Sequence, residues 1–405
     1  MILIISSDNI PHVGGKSTHI LDLIDGLKNN DIECKLFTQK QYGEKKLRLL
    51  RYMLAPVYLL NRDAYVYLYF EIWAKILARQ VLGIIKNNHI EGISAQDAFA
   101  AYALSKIKRY ITCPITLTMH TYFGIENSLD KEKVNFLTDR IYHLRLKHEL
   151  VSLDTVDNIV AVDERIKESI NEEIRKAKEP NVTCKRCLSI QNFTNIDRFY
   201  PIKSCKEKRM LREKHNIPES SFVILCARRL VEKNGVEFAV KAMALVKNDD
   251  AVLVIAGGGP QLANIKNIIE KAGLNQKVIL LDAVPQKEID SLYHMSDIAV
   301  VPSITVNGLQ EATSISALEA MSCGLPTIAS SIGGLKEMIT DGVNGLLTEE
   351  RNSQEIADAI DLLSTDKDLY NRISAESREF VETKHSHLVT ALTYYDIFVN
   401  KGISQ

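Results

Sequence analysis

The chain has 405 residues, more than one hydrophobic core usually serves, so two domains of roughly 150 to 200 residues each are expected. Lys plus Arg (50) nearly balances Asp plus Glu (51), which excludes a wholesale electrostatic grip on nucleic acid. No run of about 18 consecutive apolar residues offers a membrane span, and Met1–Ser6 has neither a basic start nor a cleavage site, so a cytoplasmic protein is expected.

In chain order, the N-terminal half alternates strand-like and helix-like segments: MILIISS, a helix from about Ser17 to Asn29, then ECKLFTQ, GISAQD, ITLTMH and NIVAVD with helical stretches between. Such alternation implies a parallel sheet covered by helices on both faces. Asn, Asp and Pro cluster in IQNFTNIDRFYP, where the domain boundary is expected. Beyond Pro201 the pattern restarts. SFVILCARRL, AVLVIAGGGP, KVILLDAV, DIAVVPS and LPTIAS read as buried parallel strands, separated by VEFAVKAMALVK, PQLANIKNIIEKAG, PQKEIDSLYHM and ISALEAMSCG as helices. The fold class is therefore α/β, two doubly wound Rossmann-like domains spanning 1–190 and 191–379. From about Asn352 no strand pattern remains, and an aromatic helix near His385–Val399 (Tyr394, Tyr395, Phe398) is expected to return to the first domain, with 380–405 packing there.

The seven cysteines are scattered, and Cys34, Cys226 and Cys323 sit in apolar contexts, as buried thiols do in a reducing compartment. Cys184 and Cys187 form a CxxC that Cys205 and His215 could complete as zinc ligands. Its spacing is irregular and no second tight pair follows, so it reads as incidental and no metal is expected.

In open α/β sheets ligands bind beyond the carboxyl ends of the strands, so strand-to-helix loops hold the candidate residues. Gly14 and Gly15 follow the first strand and open a helix whose amides suit a phosphate; a plain Gly-rich turn capped by Ser17 reads the same way. The loop matches neither GxxxxGK[ST] nor GxGxxG. Gly257, Gly258 and Gly259 form a similar turn before Pro260, equally suited to a tight turn alone. Arg228, Arg229 and Lys233 follow the strand FVILCA, where two cations can offset a diphosphate without a metal; two solvated surface charges fit as well. His120 ends ITLTMH at a carboxyl strand end, where it can donate to a reacting sugar or orient an acceptor; a structural histidine fits too.

Glu311 and Glu319 stand eight residues apart in EATSISALEAMSCGLPTIAS, just upstream of the glycine pair in SSIGGLKE. A carboxylate accepts from vicinal hydroxyls, so one can hold the ribose diol of a nucleotide and the other a donor sugar. In isolation they are equally a helix-start acid and an exposed helix residue. Val284, Ala312, Thr313, Ser314 and Ile315 complete the donor-binding candidates.

Together these residues resemble the family-four glycosyltransferases of GT-B fold, over nearly the whole chain. The family's interdomain NGxDxxFxP looks like Asn192 to Pro201, its GRLxxxKG like Arg228 to Gly235, its GxGP like Gly257 to Pro260, and its E-x7-E like Glu311 to Glu319, the most specific match. The resemblance implies a first domain that binds the acceptor and a second that binds the nucleotide sugar. Glu319 would take the ribose, Arg229 and Lys233 the diphosphate, Glu311 the donor sugar, Gly15 the phosphates from the other domain, and His120 a place beside the transferred sugar. It further implies transfer with retention and without a metal or other cofactor. A nucleotide sugar, UDP-linked, is the expected donor, and a glycan or lipid-linked glycan of bacterial surface polysaccharide the expected acceptor. Three positions depart from the pattern. Arg228 stands where the family usually has Gly, Asn234 reads as inserted before Gly235, and Ala-Thr-Ser follows Glu311 in place of an aromatic residue and Gly or Pro.

Residues 40 to 62 hold six basic residues and one acidic residue among Leu, Tyr and Met. With Leu47, Leu50 and Leu54 on one side and Lys46, Arg48 and Arg51 on another, the stretch suits peripheral contact with an anionic membrane, on its inner face; a helix half buried in its own domain fits too. The rival functions are transfer to a soluble small-molecule acceptor, an epimerase or phosphorylase of the same fold, and a non-catalytic nucleotide-sugar-binding partner of another transferase.

Overall fold

A computed structural model describes residues 1–11, 14–38, 44–121, 147–177 and 186–400. The chain divides into two compact units. The first comprises Met1–His12, Leu23–Gln191 and Ala391–Gln405, the second Val13–Asp22 and Asn192–Thr390. Residues 13–22 thus join the second unit, although the sequence places them in the first domain, and the returning segment begins at 391 rather than 380. The side chains give the reason: His19 Nδ1 meets Asn192 Oδ1 at 3.1 Å and its ring packs on Phe193 at 4.7 Å.

The first unit is built on a six-stranded parallel sheet of β1 (Ile2–Ile5), β2 (Cys34–Phe37), β3 (Gly92–Ala95), β4 (Ile115–Met119), β5 (Asn158–Ala161) and β6 (Arg186–Ser189), in the order β2-β1-β3-β4-β5-β6. β1, β3, β4 and β5 are buried along their whole length, which is why they read as unbroken apolar or small runs. The sequence pattern missed β6, a four-residue strand at the sheet edge. The last helix, His387–Val399, returns to this sheet. Buried Asn158 donates to the carbonyls of Ile397 (2.9 Å) and Asn400 (3.0 Å), satisfying acceptors that the helix end leaves orphaned. Gly92 is required there, because a Cβ would lie 2.3 Å from the Phe398 carbonyl oxygen.

The helix Glu44–Leu60 corrects the expected face. Leu47 and Leu50 are buried in the unit, whereas Leu49, Tyr52, Met53, Leu59 and Leu60 are exposed alongside Arg48 and Arg51. The stripe read as membrane-facing is the core-facing one, because a helix in a globular unit turns its best apolar stripe inward.

The second unit carries β7 (Phe222–Ala227), β8 (Ala251–Ala256), β9 (Val278–Leu281), β10 (Ile298–Val301), β11 (Thr327–Ser330) and β12 (Leu346–Thr348), all parallel, in the order β12-β11-β10-β7-β8-β9. Three-residue β12 had no legible pattern. The strand order reverses between β7 and β10, which pair directly at Ile224 and Ile298. Chains leaving these two strands run to different sides of the sheet, so a crevice opens beyond their carboxyl ends.

Candidate active site

The loops at this switch point carry most of the second unit's candidates. β7 releases Arg228 and Arg229, and a short 3-10 turn, Glu232–Asn234, presents Lys233. β10 releases residues 302–314, ending at the helix Ile315–Ser322. Glycines close these loops backbone to backbone. Gly235 has φ +60°, and a Cβ there would sit 1.9 Å from the Pro302 carbonyl oxygen. Gly257 and Gly259 press in the same way on the carbonyls of Arg228 and Leu230, at 2.0 and 2.3 Å from an added Cβ. Gly258 is the roomier of the three, its nearest neighbour to such a Cβ being Ala283 at 3.7 Å, and half-buried Val284 follows in the next loop.

Arg228 and Arg229, adjacent in sequence, have opposite fates. Arg229 and Lys233 are exposed and make no ion pair among the described residues. The side chain of Arg228 is only 5% exposed. Its Nη1 donates to Ser314 Oγ (2.7 Å) and Ser316 Oγ (3.1 Å), and its Nη2 to Asn234 Oδ1 (2.8 Å) and Ser303 Oγ (2.9 Å). Nη2 also lies 3.1 Å from Glu311 Oε2. The donor-binding reading of Arg228 is therefore revised: both terminal nitrogens are committed to protein oxygens, because a buried guanidinium must replace its lost hydration.

Glu311 and Glu319 sit in different environments. Glu311 is 17% exposed, paired with Arg228, and its carbonyl accepts from the Gly334 amide at 2.9 Å. Gly334, the second glycine of SSIGGLKE, lets this loop approach, since a Cβ would lie 2.6 Å from both Ala312 C and Thr313 N. Ala312 is half-buried, and the Thr313 carbonyl accepts from Asn192 Nδ2 at 2.8 Å. Ser314, which begins the helix, turns its hydroxyl to Arg228 instead of capping the helix amides. Glu319 is buried and accepts from the Tyr293 hydroxyl at 2.7 Å. Burial pushes its carboxyl up to about 7, against the opposing pull of the tyrosine hydrogen bond and the positive charge of Arg198.

Gly14 and Gly15 also lie in the second unit. Gly14 has φ +145°, its carbonyl accepts from the Ser17 and Thr18 amides, and an added Cβ on Gly15 would meet Ile315 Cδ1 at 3.5 Å. Hence Gly15 opens its helix, Gly15–Asn29, beside the start of Ile315–Ser322. The neighbouring His12 and Val13 lie outside the described residues.

His120 belongs to the first unit, where it follows β4. Its Nε2 meets Gln96 Oε1 at 2.9 Å, and Gln96 Nε2 donates to Ser94 Oγ at 2.8 Å, so the buried amide fixes the ring with Nε2 as donor. Beside it, Asp97 accepts from the Ser7 amide (2.8 Å) and caps the helix Ala98–Ser105 through the Ala100 amide (2.8 Å). The proposed CxxC falls partly outside the described residues at Cys184, and among those described no group of three metal-ligating side chains forms.

Sequence reasoning missed Tyr293, Ser303, Ser316 and Gln96. Asn234, read as an insertion, is a substitution: GRLxxxKG and Arg228–Gly235 both span eight residues, so Asn234 stands at the pattern's lysine position and Lys233 one residue before it. None carries a motif, and their value comes from the strand ends that bring them to Glu319, Arg228 and His120.

Residues 13–182 match the family model described as Glycosyltransferase Family 4, and residues 207–380 that described as Glycosyl transferases group 1. Over 385 residues the chain is 26% identical to an uncharacterized glycosyltransferase of Methanocaldococcus jannaschii, covering 92% of this chain and 91% of the relative. A GDP-mannose-dependent alpha-(1-6)-phosphatidylinositol monomannoside mannosyltransferase of Mycobacterium tuberculosis is 31% identical over 191 residues, 46% of this chain and 49% of the relative. Among solved structures, HepE of Anabaena in complex with UDP and glucose shares the fold, with a TM-score of 0.69 at 16% identity over 98% of this chain and 99% of HepE.

Proposed function

Since the chain belongs to the family-four, group 1 glycosyltransferases of GT-B fold, we propose that it moves a hexose-type sugar from a UDP-sugar, with retention, to a glycan or lipid-linked glycan acceptor in surface polysaccharide or glycoconjugate assembly. The observation that carries this reading is the placement, around one switch point, of two carboxylates from the β10 side and two cations from the β7 side that are exposed and make no ion pair among the described residues. In this reading Glu319, once ionised, accepts from the ribose hydroxyls, and Arg229 and Lys233 face the diphosphate. Glu311 accepts from the donor sugar, while the Gly15 amide adds a donor to the phosphates.

The chemistry follows from where charge develops. The bond between the sugar's anomeric carbon and the phosphate oxygen breaks, and the acceptor hydroxyl oxygen bonds to the same face of that carbon. Its proton passes to the departing phosphate, so no enzymic nucleophile or base is needed. Two fixed cations on the leaving diphosphate supply the electrostatic stabilisation, in place of a metal. By the family resemblance His120 is the histidine assigned to the transferred sugar; within the first unit its Nε2 is held by Gln96.

Peripheral contact with an anionic membrane is part of the proposal. It is supported by Leu59 and Leu60, 84% and 88% exposed, and by Tyr52 and Met53 beside Arg48 and Arg51. Side chains of this kind bury in the interface while the arginines stay with lipid phosphates. A lipid-linked acceptor accords with that contact.

A thermal-shift screen against UDP, GDP and ADP and their hexose conjugates tests the donor, because a ligand of the native state raises apparent stability. UDP and a UDP-hexose are expected to stabilise most, and NMR of the product is expected to show the donor's anomeric configuration. An inverted product would overturn retention, and no stabilisation by any nucleotide would overturn the assignment.

A further inference from the structure

The inference concerns Arg228 and rests on the function proposed above. A guanidinium with 5% of its side chain exposed is costly to bury, and here five oxygens surround it. They come from separate pieces of the switch point. Asn234 belongs to the loop after β7; Ser303 and Glu311 to the loop after β10; Ser314 and Ser316 to the start of the following helix. The Asn234 amide in turn donates to the Arg229 carbonyl at 2.6 Å. One side chain therefore ties the segment carrying Arg229 and Lys233 to the segment carrying Glu311.

The two positions that depart from the family's sequence pattern before Gly235 are thus partners. Asn234, at the pattern's lysine position, accepts from Arg228, which holds Glu311. A planar fork suits this task, because Nη1 and Nη2 point at different partners at once; an ammonium cannot span both.

We propose that Arg228 is a positioning residue for donor-sugar recognition: it aims the Glu311 carboxylate and sets its distance from the phosphate cations, without itself touching the donor. Arg228 thereby acts on the sugar half of the donor and not on the nucleotide half, which Glu319, Arg229 and Lys233 hold.

Calorimetric titration with a nucleoside diphosphate and its hexose conjugate separates the halves. The probes are the pairs UDP with UDP-glucose and GDP with GDP-mannose, and the pair the wild type binds better is used. Arg228→Lys, which keeps the charge and loses the fork, is expected to leave diphosphate affinity within about threefold. Affinity for the sugar conjugate is expected to fall on the order of tenfold or more, because a misplaced buried hydrogen-bond acceptor loses its ligand contact. In a Glu311→Gln background the same substitution is expected to cost little further, since both act on one contact. Ser303→Ala, which removes one guanidinium partner and no charge, is expected to shift the sugar conjugate in the same direction by a few-fold, and serves if Arg228→Lys does not fold.

Equal losses for diphosphate and conjugate would overturn the role, as would an Arg228→Lys effect that adds in full to Glu311→Gln. A wild type that binds diphosphates and conjugates of neither base would overturn the proposed function and this role with it. A wild type that binds both, with Arg228 and Ser303 variants indistinguishable from it, would overturn the role alone.

Discussion

Tyr293 donates its hydroxyl hydrogen to Glu319 at 2.7 Å, and both side chains are buried inside the second unit. The tyrosine is the partner of a carboxylate that has left water, which makes the pair sensitive to pH. Burial raises the folded-state value from the ordinary 4.5 to about 7, so the folded chain keeps a proton that the unfolded chain has released. The contribution of Glu319 to stability is thus fully present below pH 4.5 and is lost as pH rises through about 7. The loss is on the order of 3 kcal/mol as an upper figure.

Glu319→Gln keeps the shape and does not titrate. Its melting temperature relative to wild type is therefore expected to rise between pH 4.5 and 8, measured by calorimetry in the absence of nucleotide. Parallel curves across that range would remove the buried-carboxylate argument. Donor affinity runs the other way. Ribose hydroxyls donate to the ionised form, so wild-type affinity is expected to improve as pH rises through about 7.

Lys233 is exposed, without an ion pair among the described residues, and its carbonyl accepts from the Ile304 amide at 2.9 Å. Its backbone is anchored while its charge is available. Lys233→Ala is expected to lower turnover at least about a hundredfold with little change in melting temperature, as loss of a charged transition-state contact does. Activity is expected to persist in excess chelator; strict dependence on added Mg²⁺ would contradict the role given to the two cations.

Gly235 adopts φ +60° with the Pro302 carbonyl directly against it. Gly235→Ala must move that carbonyl or distort the turn that carries Lys233, and is expected to destabilise the second unit by about 2 kcal/mol or more. Chemical denaturation would show it as a lower midpoint. An unchanged midpoint would mean that the β7 and β10 loops are not locked together there.

Charge reversal at Lys45, Lys46, Arg48 and Arg51 is expected to abolish sedimentation with vesicles containing anionic lipid, while leaving nucleotide binding unchanged. Leu59→Ser with Leu60→Ser is expected to weaken sedimentation without altering its salt dependence, because these residues add apolar area and no charge. Sedimentation indifferent to both would remove the membrane from the proposal.

The two parallel sheets were legible because strands buried on both faces read as unbroken apolar runs, as in FVILCA and AVLVIA. The strands β6 and β12 were not, since RCLS and LLT lie in no longer apolar run, whereas the equally short edge strands β2 and β9 sit within ECKLFTQ and KVILLDAV. Of the site, the glycines, the Glu311 and Glu319 spacing and the strand-end cations stood out, because backbone approach and fixed charge demand particular residue types. Leu47 and Leu50 show the limit: spacing marked an apolar stripe but not what it would face.

The sequence by itself determined the doubly wound pattern, the positions of the glycine-rich strand-end loops and the membership of a transferase family. Only the tertiary structure decided that adjacent Arg228 and Arg229 part company, that Tyr293 serves Glu319, and that Gly334 admits the Glu311 loop. These depend on which strand ends lie side by side. Strand order is a long-range outcome of packing the whole sheet, and neighbouring residues such as Arg228 and Arg229 carry no local mark of which will face the core.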